Sequence, residues 1–268
     1  MAMGVSLHIG LNRVDPAKYE GWSGDLAACE FDAKDMLSIA KKRGIASSKI
    51  LLTSAATSAA VTSAIADAAK SLTRGDLFLL TYAGHGGQVP DRNGDEPDRQ
   101  DETWVLYDRQ LIDDELYALY AKFKAGVRIV VISDSCHSGS VTRVIPPFVT
   151  GGPRQRFMPR TVGDAVYKAH KREYDEIQQR ERAAETQAVK ATVLLISGCQ
   201  DNQVSLDGDR NGLFTQQLKK TWNGGKFKYG YRRFRDSIVT LMPPTQTPNY
   251  LVIGAANPTF EAQRPFTV

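Results

Sequence analysis

Short apolar segments alternate with amphipathic ones along the 268 residues of the chain. The apolar segments predict buried strands at residues 5–12, 49–53, 76–82, 103–107, 128–133, 192–197 and 249–253. Apolar positions at helical spacing predict helices over residues 26–40, 61–72, 113–123, 212–222 and 231–242. Strands that alternate with amphipathic helices are typical of an α/β fold, in which helices cover both faces of a mostly parallel sheet.

Two reactive side chains directly follow predicted strands. His85 lies between glycines after strand 76–82, and Cys136 lies in a turn rich in serine and glycine after strand 128–133. Sites in open α/β sheets form outside the carboxyl ends of strands. A cysteine thiol is mostly protonated near neutral pH, so a cysteine nucleophile needs an imidazole that takes its proton or stabilises the thiolate. The pattern predicts a Cys136–His85 pair, with the N–H groups of Gly86 and Cys136 forming an oxyanion hole.

Several short motifs follow one another in order along the chain. They are YAGHGG at 82–87, an acidic loop at 91–103, IDDEL at 112–116, DSCHSG at 134–139, SGCQDNQ at 197–203 and NGLFT at 211–215. Together they resemble the catalytic domain of metacaspases and of their bacterial relatives the orthocaspases, which are caspase-like cysteine peptidases. The resemblance covers about residues 5–254. It implies a single peptidase domain over residues 1–268, folded as a caspase-like three-layer sandwich with a mostly parallel six-stranded sheet.

The resemblance implies a Cys-His dyad, in which Cys136 attacks the scissile carbonyl and His85 handles protons. It also implies an acidic pocket for the P1 side chain, whose two acids correspond here to Asp32 and Asp134. Paired carboxylates in a pocket favour a cation that can form bidentate hydrogen bonds. We therefore expect a cysteine endopeptidase that cleaves proteins or peptides after Arg or Lys. Ala83 stands where the family often has a pocket serine, so the preference between Arg and Lys stays open.

Calcium is a second implication of the resemblance. Many metacaspases bind Ca²⁺ through acids that correspond to Asp101, Asp113 and Asp114, and hard oxygen ligands suit that ion. Arg143, however, stands where a further ligand is expected, seven residues after Cys136. A cation in that position weakens the site, so we expect that no cofactor is required.

Residues 144–190 differ in character from the rest of the chain. The segment opens rich in Pro and Gly and continues as a charged, weakly amphipathic helix. It offers basic residues at which a peptidase of this specificity could cut its own or a sister chain, or at which another protease could activate it: Arg154, Arg156, Arg160, Lys171, Arg172, Arg180, Arg182 and Lys190. We expect this segment to block or order the active site and to be processed.

Composition and charge restrict the remaining possibilities. Three cysteines without metal-site spacing argue against a disulfide framework and fit a reducing compartment. No apolar stretch approaches the roughly 20 residues of a membrane-spanning helix. The net charge of +4 resides in residues 141–190, whereas residues 91–115 are acidic, so no phosphate-binding face is expected. We expect a cytoplasmic protein, monomeric as metacaspases usually are, that binds neither membrane nor nucleic acid.

Two other functions were weighed against a peptidase. A catalytically silent or partner-activated caspase-like scaffold would act through protein contacts, but such scaffolds often lack the cysteine or the histidine, and both are present here. A nucleotide-binding module would need a Gly-rich phosphate motif after a strand, and neither common form of it occurs. Cys29 and Cys199 are expected to be buried structural residues.

Overall fold

The computed structural model describes residues 2–92, 94, 98–136, 154–185, 187–200, 203 and 205–268. Its strands are β1 Gly4–Gly10, β2 Ser47–Leu52, β3 Leu77–Ala83, β4 Gly86–Pro90, β5 Gln100–Val105, β6 Gln110–Ile112, β7 Arg128–Asp134, β8 Thr192–Ser197 and β9 Asn249–Gly254. Its α-helices are α1 Cys29–Lys42, α2 Ser58–Ser71, α3 Asp113–Ala121, α4 Arg160–Ala169, α5 Lys171–Glu185, α6 Leu213–Trp222, α7 Tyr231–Val239 and α8 Pro258–Glu261.

Six strands form the main sheet in the order β2-β1-β3-β7-β8-β9. All neighbouring pairs are parallel except β8 and β9, which are antiparallel. The central strands β3 and β7 are buried along their whole length, as expected for parallel strands that are covered on both faces. The predicted mostly parallel six-stranded sheet is confirmed.

Helices cover both faces of this sheet because alternate side chains of each strand point to opposite sides. On one face, Phe78 and Leu80 of β3 belong to an apolar cluster with residues of α2 and α3. On the other face, Leu79 of the same strand belongs to a cluster with residues of α1, α6 and α7. Each fully buried side chain of this kind stabilises the fold by about 1.5–3 kcal/mol. The arrangement is the predicted three-layer sandwich.

A small antiparallel sheet, in the order β4-β5-β6, lies beside the main one. The sequence predicts only part of β5, because the surrounding acidic, Gly- and Pro-containing residues carry no clear alternation of apolar positions. β4 begins directly after His85 and forms by long-range pairing with β5. This sheet thereby fixes the backbone on the far side of His85.

The charged segment after residue 153 forms two helices where the sequence predicts one. The chain breaks from helical geometry at His170, between α4 and α5. Tyr167 of α4 and Tyr174 of α5 join the same apolar cluster as Val89 of β4. Packing on the small sheet therefore decides where the helix breaks. No helix in the described ranges is both long enough and apolar enough to cross a membrane.

Candidate active site

His85 and Cys136 lie at the same edge of the main sheet. β3 and β7 are parallel neighbours, and their last paired residues are Ala83 and Asp134. His85 and Cys136 each lie two positions beyond that pair. Both side chains are buried, at 6% and 0% exposure. The register of two adjacent strands therefore places both residues at one edge of the sheet, although they are far apart in sequence. Among the described residues, no hydrogen bond joins Sγ of Cys136 to the His85 ring.

The backbone and an indole ring hold the His85 imidazole in place. Nε2 of His85 lies 2.9 Å from the carbonyl oxygen of Gly24, and the Trp22 ring packs at a centroid distance of 4.8 Å. Since Nε2 donates to that carbonyl, Nδ1 is the ring nitrogen available for proton transfer. Burial lowers the pKa of His85 to about 4, although the backbones of Gly24 and Phe157 act in the opposite direction. The ring is thus neutral near pH 7 and can accept a proton.

The Cys136 thiol lies in a small buried cluster with Phe157 and Cys199. Its Sγ accepts a hydrogen bond from the N–H of Ser205 and lies 2.8 Å from Sγ of Cys199. All three cysteines of the chain are free thiols. Burial raises the pKa of the Cys136 thiol well above its usual range, and the contact with Cys199 acts in the same direction. In this state the thiol carries its proton at neutral pH.

The side chain of Arg156 fills the pocket next to these two residues and is completely buried. Its Nη2 lies 2.5 Å from Oδ2 of Asp32, and its Nη1 lies 2.8 Å from Oδ2 of Asp134. A third carboxylate, that of Asp207, lies 2.9 Å from Nη2. The structure therefore brings the two predicted pocket acids together around a guanidinium group that belongs to the same chain.

The pocket acids are held by further hydrogen bonds. Asp32 accepts from the side chain of Asn211 at 2.7 Å and from the N–H of Gly212 at 3.2 Å. Asp134 accepts from the hydroxyl groups of Ser205 at 2.6 Å and Thr215 at 2.7 Å. These donors fix the carboxylates before any ligand arrives, which lowers the cost of recognising a cation.

The backbone around Arg156 is bound as an extended strand. Its carbonyl oxygen accepts hydrogen bonds from the N–H groups of Gly86 and Cys136, both at 3.1 Å. Its own N–H donates to the carbonyl of Ser205 at 2.9 Å. Beyond Phe157, the N–H of Met158 donates to the carbonyl of Gly86 at 2.8 Å. The carbonyl oxygen of the peptide bond between Arg156 and Phe157 thus lies on two N–H groups, one of which belongs to Cys136.

The chain is similar to a known family of proteins. The family model described as caspase domain matches residues 14–261. The chain belongs to the caspase domain family. The resemblance inferred from the sequence motifs is therefore confirmed.

One named relative and two solved structures are similar to this caspase domain. Metacaspase-1 from Mycosarcoma maydis is 28% identical over 243 residues, which are 78% of this chain and 59% of that protein. The caspase domain therefore spans less than two thirds of the length of this metacaspase. The crystal structure of protein GSU0716 from Geobacter sulfurreducens is 54% identical, with a TM-score of 0.90 and 99% coverage of both chains. Caspase-1 from Spodoptera frugiperda shares the fold, with a TM-score of 0.54 at 11% identity over 94% of this chain and 86% of that chain.

The charge balance of the pocket in this caspase domain is unequal. One guanidinium faces the carboxylates of Asp32, Asp134 and Asp207. Burial raises the pKa of Asp32 to about 7, while Arg156 and the hydrogen bond from Asn211 lower it. Loss of the guanidinium would remove the main compensation and leave a group of buried acids that attracts another cation.

The predicted calcium ligands of this caspase domain are not part of the pocket around Arg156. Asp101 is buried in β5, whereas Asp113 and Asp114 begin α3. Among the described residues, no three His, Cys, Asp or Glu side chains are grouped so that they could hold a metal ion. The role of these acids toward calcium stays a prediction from the sequence, and no chemical step is assigned to the ion. Arg143 lies outside the described residues.

Sequence reasoning missed Asp207 and did not single out Arg156. Asp207 lies on a loop after β8 beside exposed charged residues, so its sequence context is that of a solvated acid. Arg156 is one of several basic residues in its segment. In both cases the distinguishing property is burial, at 5% and 0% exposure, which no local pattern encodes.

Proposed function

We propose that this caspase domain is a cysteine endopeptidase that cleaves after basic residues, and that the state described here is restrained by its own chain. The observation that carries the proposal is the position of Arg156. Its side chain lies between Asp32 and Asp134, and its carbonyl oxygen is held by the N–H groups of Gly86 and Cys136. A substrate with Arg or Lys at P1 would bind in the same way.

The proposed reaction has two steps. In the first, Sγ of Cys136 forms a bond to the P1 carbonyl carbon, and the thiol proton passes to His85. The N–H groups of Gly86 and Cys136 stabilise the oxyanion, which carries more charge than the ground-state carbonyl. The C–N bond then breaks, and His85 gives the proton to the departing amine. In the second step, water hydrolyses the thioester, which releases the acid and restores the thiol.

The pKa values support a resting state. The pKa of Cys136 is raised well above its usual range by burial, and that of His85 is lowered to about 4 by burial. Proton transfer from the thiol to the imidazole is therefore unfavourable while residues 154–158, which include Arg156, stay bound at the site and both groups are buried. Departure of that segment would hydrate the two groups, lower the pKa of the thiol and raise the pKa of the imidazole. Release of the segment is thus the proposed activating step.

The same geometry supports Arg156 as the proposed cleavage site within residues 144–190. Arg154 and Arg160 flank the bound strand but are exposed, whereas Arg156 lies in the pocket. Cleavage of the Arg156–Phe157 bond, by this chain, a sister chain or another protease, would leave two new ends that can separate. That calcium is not required, that the protein is a monomer and that it is cytoplasmic remain predictions from the sequence.

Fluorogenic peptides ending in Arg, Lys or Asp at P1 test the proposal. They would be given to the wild-type chain and to Cys136→Ala, before and after limited trypsin treatment. Hydrolysis of only the Arg and Lys peptides, increased by trypsin and absent in Cys136→Ala, is the expected result. Turnover that survives in Cys136→Ala, or that favours Asp, would contradict it. No turnover in any arm would favour the silent or partner-activated scaffold instead.

A further inference from the structure

Asp207 contacts a part of the Arg156 guanidinium that no other carboxylate reaches. Its Oδ1 accepts from Nη2 at 2.9 Å and from Nε at 3.3 Å. Asp32 contacts Nη2, and Asp134 contacts Nη1. The three carboxylates therefore surround one planar cation, with Nη2 shared by Asp32 and Asp207. Nε lies nearest the aliphatic stem, and only Asp207 engages it among the residues described.

The Asp207 carboxylate is buried and is held by backbone donors. Oδ2 accepts from the N–H of Ala27 at 2.7 Å, and Oδ1 accepts from the N–H of Ala28 at 3.3 Å. Its backbone N–H donates to the carbonyl of Arg154 at 2.7 Å. The side chain is 5% exposed. A carboxylate fixed by two backbone donors cannot move to follow a cation of different shape.

We infer that Asp207 is a specificity-determining residue that makes the pocket prefer arginine to lysine at P1. The inference deepens the proposed function and, for substrates, rests on it. A lysine ammonium is a single compact charge at the end of a flexible stem, whereas a guanidinium presents five N–H donors in a fixed plane. An ammonium that reaches Asp32 and Asp134 has no donor at the Nε position. Asp207 would then lose the hydrogen bond that it accepts from Nε, and three buried carboxylates would share one compact charge, which is costly.

Peptide hydrolysis gives the first test. In the trypsin-treated chain, we expect Asp207→Asn to lower kcat/KM for an Arg peptide by about 10- to 100-fold, as for loss of a hydrogen bond between charged groups. We expect kcat/KM for the matched Lys peptide to change much less, so that the Arg-to-Lys ratio falls. Asp209→Asn is the matched control, because Asp209 lies on the same loop, carries the same charge and is exposed. Equal losses for both peptides would overturn the inference and show a purely structural role.

A double-mutant cycle on the uncut chain gives a test that needs no peptidase activity. Asp207→Asn and Arg156→Lys would be made singly and together in a Cys136→Ala background, and stability would be measured by urea unfolding. We expect Asp207→Asn to lower the unfolding midpoint clearly when residue 156 is arginine and only slightly when it is lysine. Equal shifts in both backgrounds would overturn the inference even if the proposed peptidase activity were established. A larger shift with arginine than with lysine would show that Asp207 discriminates between the two side chains in this pocket, even if no peptide were cleaved.

Discussion

The carbonyl oxygen of Arg156 accepts a hydrogen bond from the backbone N–H of Cys136 at 3.1 Å. The nucleophile predicted from the sequence thus holds, through its own backbone, the peptide unit that its thiol would attack. The buried thiol of Cys136 and the buried imidazole of His85 have pKa values shifted in directions that oppose proton transfer. The carbonyl group of Arg156 therefore lies where the proposed reaction requires it, while the thiol and the imidazole are in their neutral forms.

Cleavage within residues 144–190 should depend on one arginine. We expect Arg156→Gln to abolish the cut between residues 156 and 157, because glutamine cannot compensate the pocket acids. Arg154→Gln and Arg160→Gln are matched controls on either side, both exposed, and should be cut at the wild-type rate. Mass spectrometry of the fragments would identify the bond. A cut at another basic residue that persists at full rate in Arg156→Gln would contradict the prediction.

Removal of the buried guanidinium should destabilise the uncut chain. Arg156→Ala leaves three carboxylates without their cation, and breaking a buried ion pair in this way costs about 3–5 kcal/mol. Urea unfolding would measure the loss, with Arg154→Ala as a control that stays within about 0.5 kcal/mol. Added N-acetyl-arginine amide should restore part of the lost stability by binding the vacant pocket. An Arg156→Ala variant as stable as the control would show that the pocket acids are neutral in the folded chain.

The Cys136 thiol should be alkylated slowly while the residues around Arg156 stay bound at the site. Its pKa is raised by burial and by the contact with Cys199, so little thiolate exists at neutral pH, and the thiolate is the reactive form. We expect slow alkylation by iodoacetamide, read at the Cys136 peptide by mass spectrometry. In Cys199→Ala the pH profile of that alkylation should move to lower pH, whereas Cys29→Ala should leave it in place. A profile unchanged in Cys199→Ala would remove Cys199 as a cause of the shift.

A second buried histidine should make the fold sensitive to acid. The ring of His8 contacts the hydroxyls of Thr81 and Ser6, each at 2.9 Å, and burial lowers its pKa to about 3. Between about pH 6.5 and pH 3 the unfolded chain binds a proton at this position and the folded chain does not, so stability falls as the pH falls. The maximal slope is about 1.4 kcal/mol per pH unit.

Comparison of wild type with a His8 variant isolates the contribution of His8 to the pH dependence of stability. The raised pKa of Asp32 acts in the opposite direction over part of the same range, but it is common to wild type and variant. We expect His8→Gln to reduce the loss of stability between pH 7 and pH 5, measured by urea unfolding, relative to wild type. His170→Gln, at a more exposed position, should leave the loss unchanged. Parallel pH profiles for wild type and His8→Gln would be the contrary outcome.

Calcium should have no effect on peptide hydrolysis. The described acids do not form a group that could hold a metal ion, and Arg143 occupies a position expected to supply a ligand. We therefore expect the same kcat/KM in EDTA and in millimolar calcium after trypsin treatment. Activation by calcium that EDTA reverses would contradict this prediction.

The sequence alone determined the sheet and the two reactive positions. Continuous apolar runs such as those of β3 and β7 are local signals, since a strand buried on both faces must be apolar along its length. The turns that carry His85 and Cys136 follow those runs directly. The motifs around them were specific enough to indicate the family.

Only the tertiary structure decided which side chains meet. Arg156 contacts Asp32, Asp134 and Asp207, which are 124, 22 and 51 residues away in the chain. The choice of Arg156 over the exposed Arg154 and Arg160, and the pairing that creates β4, depend on such distant contacts. A charge can be buried only where opposite charges compensate it, and that compensation arises only when separate segments fold against one another.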